Sequence, residues 1–302
     1  MIIIFFRLFN NSRTFIGLKY AVWKEKKLGK IIVLDYDGCV IPNGQPNRVN
    51  ASSFHAQILA DILKKEQANI VFCSSRGLDS LEEAARNFEG YGMKVINIVA
   101  EDGSFIKDRK TGKIETIAKL AHVELIRKIK SFFIDFAYGN YFVVQDGKQA
   151  VLTLLRDEQI YTSDQFYMKS QDIISYLISS GLLKDTDLEK IEIVQTFEGV
   201  EIYPASAGTD KALRRIFAQI WLDEVIIGVG DEKNDAKWLK LLKNEFAGII
   251  VASENAVDQI KIIADYVGKG ENIKGLLDAL YKCFGYYTTA DKNEQSLYYM
   301  QV

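Results

Sequence analysis

The decapeptide IIVLDYDGCV, residues 31–40, decides the fold. Four aliphatic residues in a row, Ile31 to Leu34, suit a strand buried on both faces. The run ends in Asp35 and Asp37, which alternation along an extended backbone turns to the same side. Two like charges held at the rim of an apolar sheet are costly unless a cation or a reaction uses them.

Working outward, ANIVFC (68–73), KVINIVA (94–100), EVIIGVG (224–230) and AGIIVA (247–252) repeat the same continuous apolar character. Helix-like stretches at 52–66, 79–90, 209–220, 233–243, 254–263 and 272–283 lie between or after them, with Ser53, Asp79, Thr209 and Asn272 at expected N-caps. Alternating strands and helices imply right-handed crossovers and a doubly wound, mostly parallel, Rossmann-like α/β sheet. Ligands in such sheets bind beyond the carboxyl ends of the strands, where Asp35 and Asp37 fall.

The middle of the chain breaks this rhythm. A helical pattern at about 115–136 precedes YFVVQDGKQAVLTLL (141–155), two strand-like runs around Asp146-Gly147, a strong hairpin signal. A helix at 163–180 and a second hairpin-like run, KIEIVQTFEGVEIYP (190–204), follow. The pattern predicts a smaller α+β cap at 117–199, inserted into a discontinuous core of residues 30–116 and 200–285. Residues 1–29 form an N-terminal extension and 286–302 a tail.

Composition narrows the functional classes. The chain has 302 residues, enough for two domains, with 48% hydrophobic and 26% charged residues. A formal charge of −2 gives no overall pull toward nucleic acid. Cys39, Cys73 and Cys283 show no paired spacing, which argues against a disulfide framework and for a reducing cytoplasm. His55 and His122 are too few for a histidine-based triad or zinc site. MIIIFF is cut short by Arg7, so no integral membrane segment and no signal peptide is expected there. Residues 1–30 carry seven basic residues against Glu25 alone. An edge strand and helix packed on the core is the expected reading, with a membrane-surface or partner-binding arm as the alternative.

Three further segments join the first. CSSRG (73–77) ends a buried strand in hydroxyls and an arginine, DKALRRI (210–216) opens a helix with Lys211, and GDEKND (230–235) ends another buried strand. Together the four resemble the motifs of the haloacid-dehalogenase superfamily of phosphotransferases, in order and context, over about residues 30–283. AEDGSFIKDRKTGKI (100–114) resembles that family's "ENG" hairpin, and the stretch from Glu254 resembles the ending of its Cof-type and sugar-phosphatase members. The inserted cap is similar to that subgroup's, which includes trehalose-, sucrose- and mannosylglycerate-phosphate phosphatases.

The resemblance implies a magnesium-dependent phosphomonoesterase acting on a small phosphorylated metabolite, foremost a sugar phosphate. Asp35 is then the nucleophile that forms an aspartyl phosphate, and Asp37 the general acid and base. Mg2+ is expected on Asp35, the Asp37 backbone carbonyl and Asp231, with Asp235 ligating directly or from behind. Ser74, Lys211 and Asn234 are expected to hold the phosphoryl group. Ser75 competes with Ser74. Cys39 stands where the family has Thr, Ser75 where it has Gly, and Asp102 where it has Asn. Arg156, Gln159, Lys169 and Glu198 are the candidate cap contacts. A phosphomutase, or a non-catalytic phosphosugar-binding protein on the same fold, is the alternative. Oligomeric state is not readable.

Overall fold

Alternation within the first strand accounts for both faces of the main sheet. The structure, a computed structural model, describes residues 29–43, 50–135, 142–196, 198–218 and 224–286. In β1 (Lys30–Asp35), Ile32 and Leu34 point to one apolar cluster and Ile31 and Val33 to another. The first cluster is closed by α1 (Ser53–Lys65), α2 (Leu78–Gly90) and α8 (Asn272–Cys283). The second is closed by α5 (Thr209–Phe217), α6 (Asp235–Glu245) and α7 (Asp258–Ile263). Residues buried on both sides must be apolar throughout, as the continuous runs required.

Eight strands order as β12-β11-β10-β1-β2-β3-β4-β5. β2 (Ala68–Cys73), β3 (Lys94–Ala100), β10 (Val225–Val229), β11 (Ile249–Ala252) and β12 (Tyr266–Val267) run parallel with β1. β4 (Phe105–Asp108) and β5 (Ile114–Thr116) add an antiparallel edge. The β3–β4 turn holds Glu101, Asp102 and Gly103 in succession at positive φ (50°, 53° and 82°). A Cβ on Gly103 would lie 2.3 Å from the Gly208 carbonyl group, so only glycine lets this turn approach the start of α5.

The helix starts differ from the expected caps. α1, α2, α5 and α8 begin after Ser52, Gly77, Gly208 and Glu271. Ser53, Asp79, Thr209 and Asn272 therefore lie inside the first turn, where Asp79 still complements the helix dipole.

A second sheet, β6-β7-β9-β8, contains β6 (Val143–Val144), β7 (Leu152–Leu155), β8 (Ile191–Gln195) and β9 (Gly199–Pro204). α3 (Leu120–Asp135) and α4 (Ser163–Ser179) cover one of its faces, against Leu152, Leu154, Val200 and Ile202. Thr162 caps α4 and exchanges bonds with Gln165. Because β9 pairs with both β7 and β8, the small sheet runs to Pro204, past the boundary expected at residue 199. The Asp146-Gly147 hairpin exists, with Gly147 at φ 83°, but its loop is wide rather than a two-residue turn. Residues beyond Gly147 leave the ladder to meet a core side chain, described below. The expected strand and helix of the N-terminal arm, and the C-terminal tail beyond residue 286, lie outside the described residues. No helix among the described residues is long and apolar enough to cross a membrane.

Candidate active site

Register places the site. Lys30–Leu34 stand opposite Val225–Val229 on one side, and Lys30–Asp35 opposite Ala68–Cys73 on the other. The three strands finish level, so Asp35, Ser74 and Asp231 leave the sheet along one edge. Tyr36, between the two aspartates, is fully buried and meets the edge of Phe72 at 5.4 Å. Asp35 and Asp37 both line the cleft above. Carboxylate oxygens of Asp35 and Asp231 and the Cys39 sulfur all lie within 4.8 Å of one another. Gly38, at φ +69°, makes this possible: a Cβ there would sit 2.0 Å from Asp231 Oδ2. Asp231 accepts hydrogen bonds from Asn43 (3.2 Å), Asn255 (3.5 Å) and the Cys39 thiol (3.5 Å).

Electrostatics in this corner are one-sided. Burial, then the charges of Asp235, Asp231 and Asp37, push Asp35 well above the usual carboxylate range. Burial, then Asp235, lifts Asp231 to about 7. Burial and the neighbouring Asp231 keep Cys39 a thiol, a weak donor that is a poor ligand for a hard cation. Eight carboxylates but only Arg76, Lys148 and Lys237 line the cleft among the described residues. That imbalance, with two carboxylates converging at its floor, fits a divalent cation bound through oxygen.

Asp235 has a different role in the geometry from Asp231. Its Oδ2 accepts the backbone N–H groups of Asp231 (3.0 Å) and Glu232 (2.9 Å), and its Oδ1 the indole N–H of Trp238 (3.0 Å). It holds the loop that carries Asp231 rather than joining the converging oxygens.

Asp37 is gripped from the second strand end. Arg76 donates to its two oxygens at 2.8 and 2.7 Å, and the Ser74 hydroxyl donates at 3.2 Å. Ser74 Oγ also accepts the Arg76 backbone N–H at 3.1 Å. Ser75 turns instead to Glu201 of the cap. Asn234 lines the cleft with its Oδ1 buried and without a hydrogen-bond partner. Lys211 is not brought to the cleft: its ammonium donates to the Ala205 carbonyl at 2.7 Å. Burial of Ala212, Leu213 and Ile216 fixes the rotation of α5, and that rotation offers Thr209 and Asp210 to the cleft instead.

The cap contributes the roof. With Leu152, Leu154, Val200 and Ile202 committed to its helices, alternation turns Thr153, Glu201 and Tyr203 the other way. Lys148, buried, donates to Thr153 Oγ1 (2.5 Å) and Glu201 Oε1 (2.9 Å). Of the four expected cap contacts only Glu198 lines the cleft; Arg156 turns to Glu158 and the Tyr161 carbonyl, and Gln159 is exposed. Glu201 and Tyr203 were visible as polar positions at period two in VEIYP. The contact fixing the roof was not visible: Glu101, fully buried, accepts the backbone N–H groups of Gln149, Ala150 and Val151 at 2.6–3.2 Å. These three N–H groups are what the wide hairpin loop releases from its ladder.

No sequence-family profile matches the chain. A protein of Streptococcus pyogenes serotype M6, named "Putative phosphatase M6_Spy0533", is 21% identical over 284 residues, spanning 84% of this chain and 97% of its own. Among solved structures, the C-terminal domain of a Candida albicans trehalose-6-phosphate phosphatase superposes with a TM-score of 0.65 at 17% identity, covering 89% of this chain and 96% of that one. A haloacid dehalogenase-like hydrolase from Bacteroides thetaiotaomicron superposes with a TM-score of 0.61 at 18% identity, covering 85% and 100%.

Proposed function

We propose that this chain, whose fold is that of the haloacid-dehalogenase-like hydrolases, cleaves phosphate monoesters with a divalent cation, Mg2+, and that its substrate is a small sugar phosphate. The convergence of Asp35 and Asp231 from two strand ends, with Asp37 poised two residues along, carries this reading. Asp35, Asp231 and the Asp37 backbone carbonyl would hold the cation, and Asp235 would keep Asp231 in place. Bound there, Mg2+ neutralises the phosphate oxygens that otherwise repel a nucleophile.

Asp35 attacks phosphorus: its carboxylate oxygen forms the new P–O bond as the ester oxygen leaves. Asp37 supplies the proton that this leaving oxygen takes up, then removes one from the water that attacks the aspartyl phosphate. To do so its carboxyl group must come off the Arg76 guanidinium, which donates to both of its oxygens. Ser74 and Asn234 orient the phosphoryl group. The sugar assignment is supported by the polar roof of Glu201, Tyr203 and Lys148, which offers both acceptors and donors to hydroxyls, and by the likeness to a trehalose-6-phosphate phosphatase domain.

The test is hydrolysis of p-nitrophenyl phosphate and a series of hexose phosphates, followed by release of inorganic phosphate, with Mg2+ and with excess chelator. Activity is expected only with the metal and is expected to vanish in Asp35→Asn. Turnover by that variant, or turnover in chelator, refutes the mechanism. Recovery of an isomeric sugar phosphate in place of inorganic phosphate makes the chain a phosphomutase.

A further inference from the structure

A fourth strand end stands behind the acid cluster. β11 pairs with β10 through Val251 and Val229, so the chain that leaves it after Ala252 passes beside Asp231. This loop meets Asp231 twice. The Val257 N–H donates to the Asp231 backbone carbonyl at 2.8 Å, and the Asn255 amide faces the carboxylate. Partners of opposite kind fix how that amide is turned. Asn255 Oδ1 accepts the backbone N–H of Asn272, at the opening of α8, at 2.7 Å. Asn255 Nδ2 donates to the Gly38 carbonyl at 2.8 Å and reaches Asp231 Oδ2 in a longer contact of 3.5 Å. Asn43 donates to the same oxygen at 3.2 Å.

The two oxygens of Asp231 are therefore unequal. Oδ2 is engaged by two amides, whereas Oδ1 meets the Cys39 thiol at 3.5 Å, a weak donor that a cation displaces easily. We infer that Asn255 is a positioning residue for the metal: with Asn43 it holds Asp231 Oδ2 back, so that Asp231 ligates through Oδ1 alone, and it anchors the Gly38 carbonyl one peptide beyond the Asp37 carbonyl. The inference rests on the Mg2+ reading and extends it to the choice of metal. Magnesium demands near-octahedral angles, which a carboxylate binding through both oxygens cannot span; calcium takes more ligands and accepts such carboxylates. An Asp231 restricted to one oxygen favours Mg2+ over Ca2+. Released from its amides, it could turn both oxygens to the ion.

The experiment titrates Mg2+ and Ca2+ calorimetrically into metal-free wild type, Asn255→Ala and Asn43→Ala, as full chains and without substrate. Removing a group that orients a metal ligand weakens metal binding by about 10- to 100-fold, so Asn255→Ala is expected to bind Mg2+ at least tenfold more weakly. Its Ca2+ affinity should hold or rise, so that the Mg2+ to Ca2+ affinity ratio falls tenfold or more. The ratio cancels any change in how readily Asp231 loses its proton. A merely structural role would weaken both metals alike, so a ratio that falls less than tenfold overturns the inference and leaves the phosphatase reading standing. Asn43→Ala should shift the ratio in the same direction, and an unchanged ratio there also overturns the inference. Thermal unfolding of the metal-free proteins checks the fold; if Asn255→Ala does not fold, Asn43→Ala decides, because it removes a donor to Asp231 Oδ2 without loosening the start of α8. If the wild type does not bind Mg2+, the metal reading and the inference both fail.

Discussion

Glu101 bolts the cap to the core, and its removal has a calculable effect. In Glu101→Ala three backbone N–H groups lose their acceptor. Gln149 is exposed, so water can satisfy its N–H, whereas Ala150 and Val151 are 0% and 1% exposed. An orphaned buried donor costs about 1–3 kcal/mol, so two cost roughly 4 kcal/mol at the centre of that range. Every 1.4 kcal/mol is tenfold, so the hairpin loop should open about 10³-fold more often. Amide hydrogen exchange reads this directly: Ala150 and Val151 should exchange about 10³-fold faster than in the wild type. Amides of β1 and β10 should keep their protection, because the core does not depend on Glu101. Glu101→Gln retains one carbonyl oxygen but faces the same donors with an NH2 group, and should fall between the two. Unchanged exchange at Ala150 and Val151 in a folded Glu101→Ala protein would show that the carboxylate does not hold the cap.

Two further outcomes concern the acid cluster. Gly38→Ala places a Cβ where Asp231 Oδ2 now lies and forces a side chain into a positive-φ position, so it should cost about 1 kcal/mol or more in denaturant unfolding and remove most Mg2+-dependent turnover; wild-type metal affinity in that variant would contradict the packing. In metal-free protein the raised Asp231, at about 7 against an ordinary value near 4, means the folded state holds protons the unfolded state has released. Stability should therefore fall as pH rises from about 4 to 7, while the stabilisation gained on adding Mg2+ should grow over the same window; thermal unfolding with and without the metal tests both, and a metal effect independent of pH argues against ligation by Asp231.

The parts of this protein that were legible in its sequence are those set by local pattern. Strands β1, β2, β3, β10 and β11 were readable because a mostly apolar run of four to seven residues between helix-like stretches has few other uses in an α/β chain. Asp35, Asp37, Ser74 and Asp231 followed, since a residue just past a strand end has its place fixed by the sheet. The placement of the Lys211 side chain was not readable that way. Where its ammonium points depends on the rotation of α5, and buried Ala212, Leu213 and Ile216 set that rotation through their packing. Glu101 and its partners in the cap are about 50 residues apart in the chain, and no local signal joins them. The reach of β9 into the small sheet is likewise a pairing choice, since its apolar alternation suits either sheet.

The level finish of β1, β2 and β10 sets what this architecture can tolerate in its descendants. One residue added within β10 would carry Asp231 along by about 3.3 Å and swing it to the opposite side of the sheet, whereas several residues added to a turn of the roof would leave the acids where they are. Strand length, more than any loop or lid, is the ruler against which the chemistry is aligned. Divergence toward new substrates should therefore accumulate overhead, while the span from Lys30 to Asp35 stays the same to the residue.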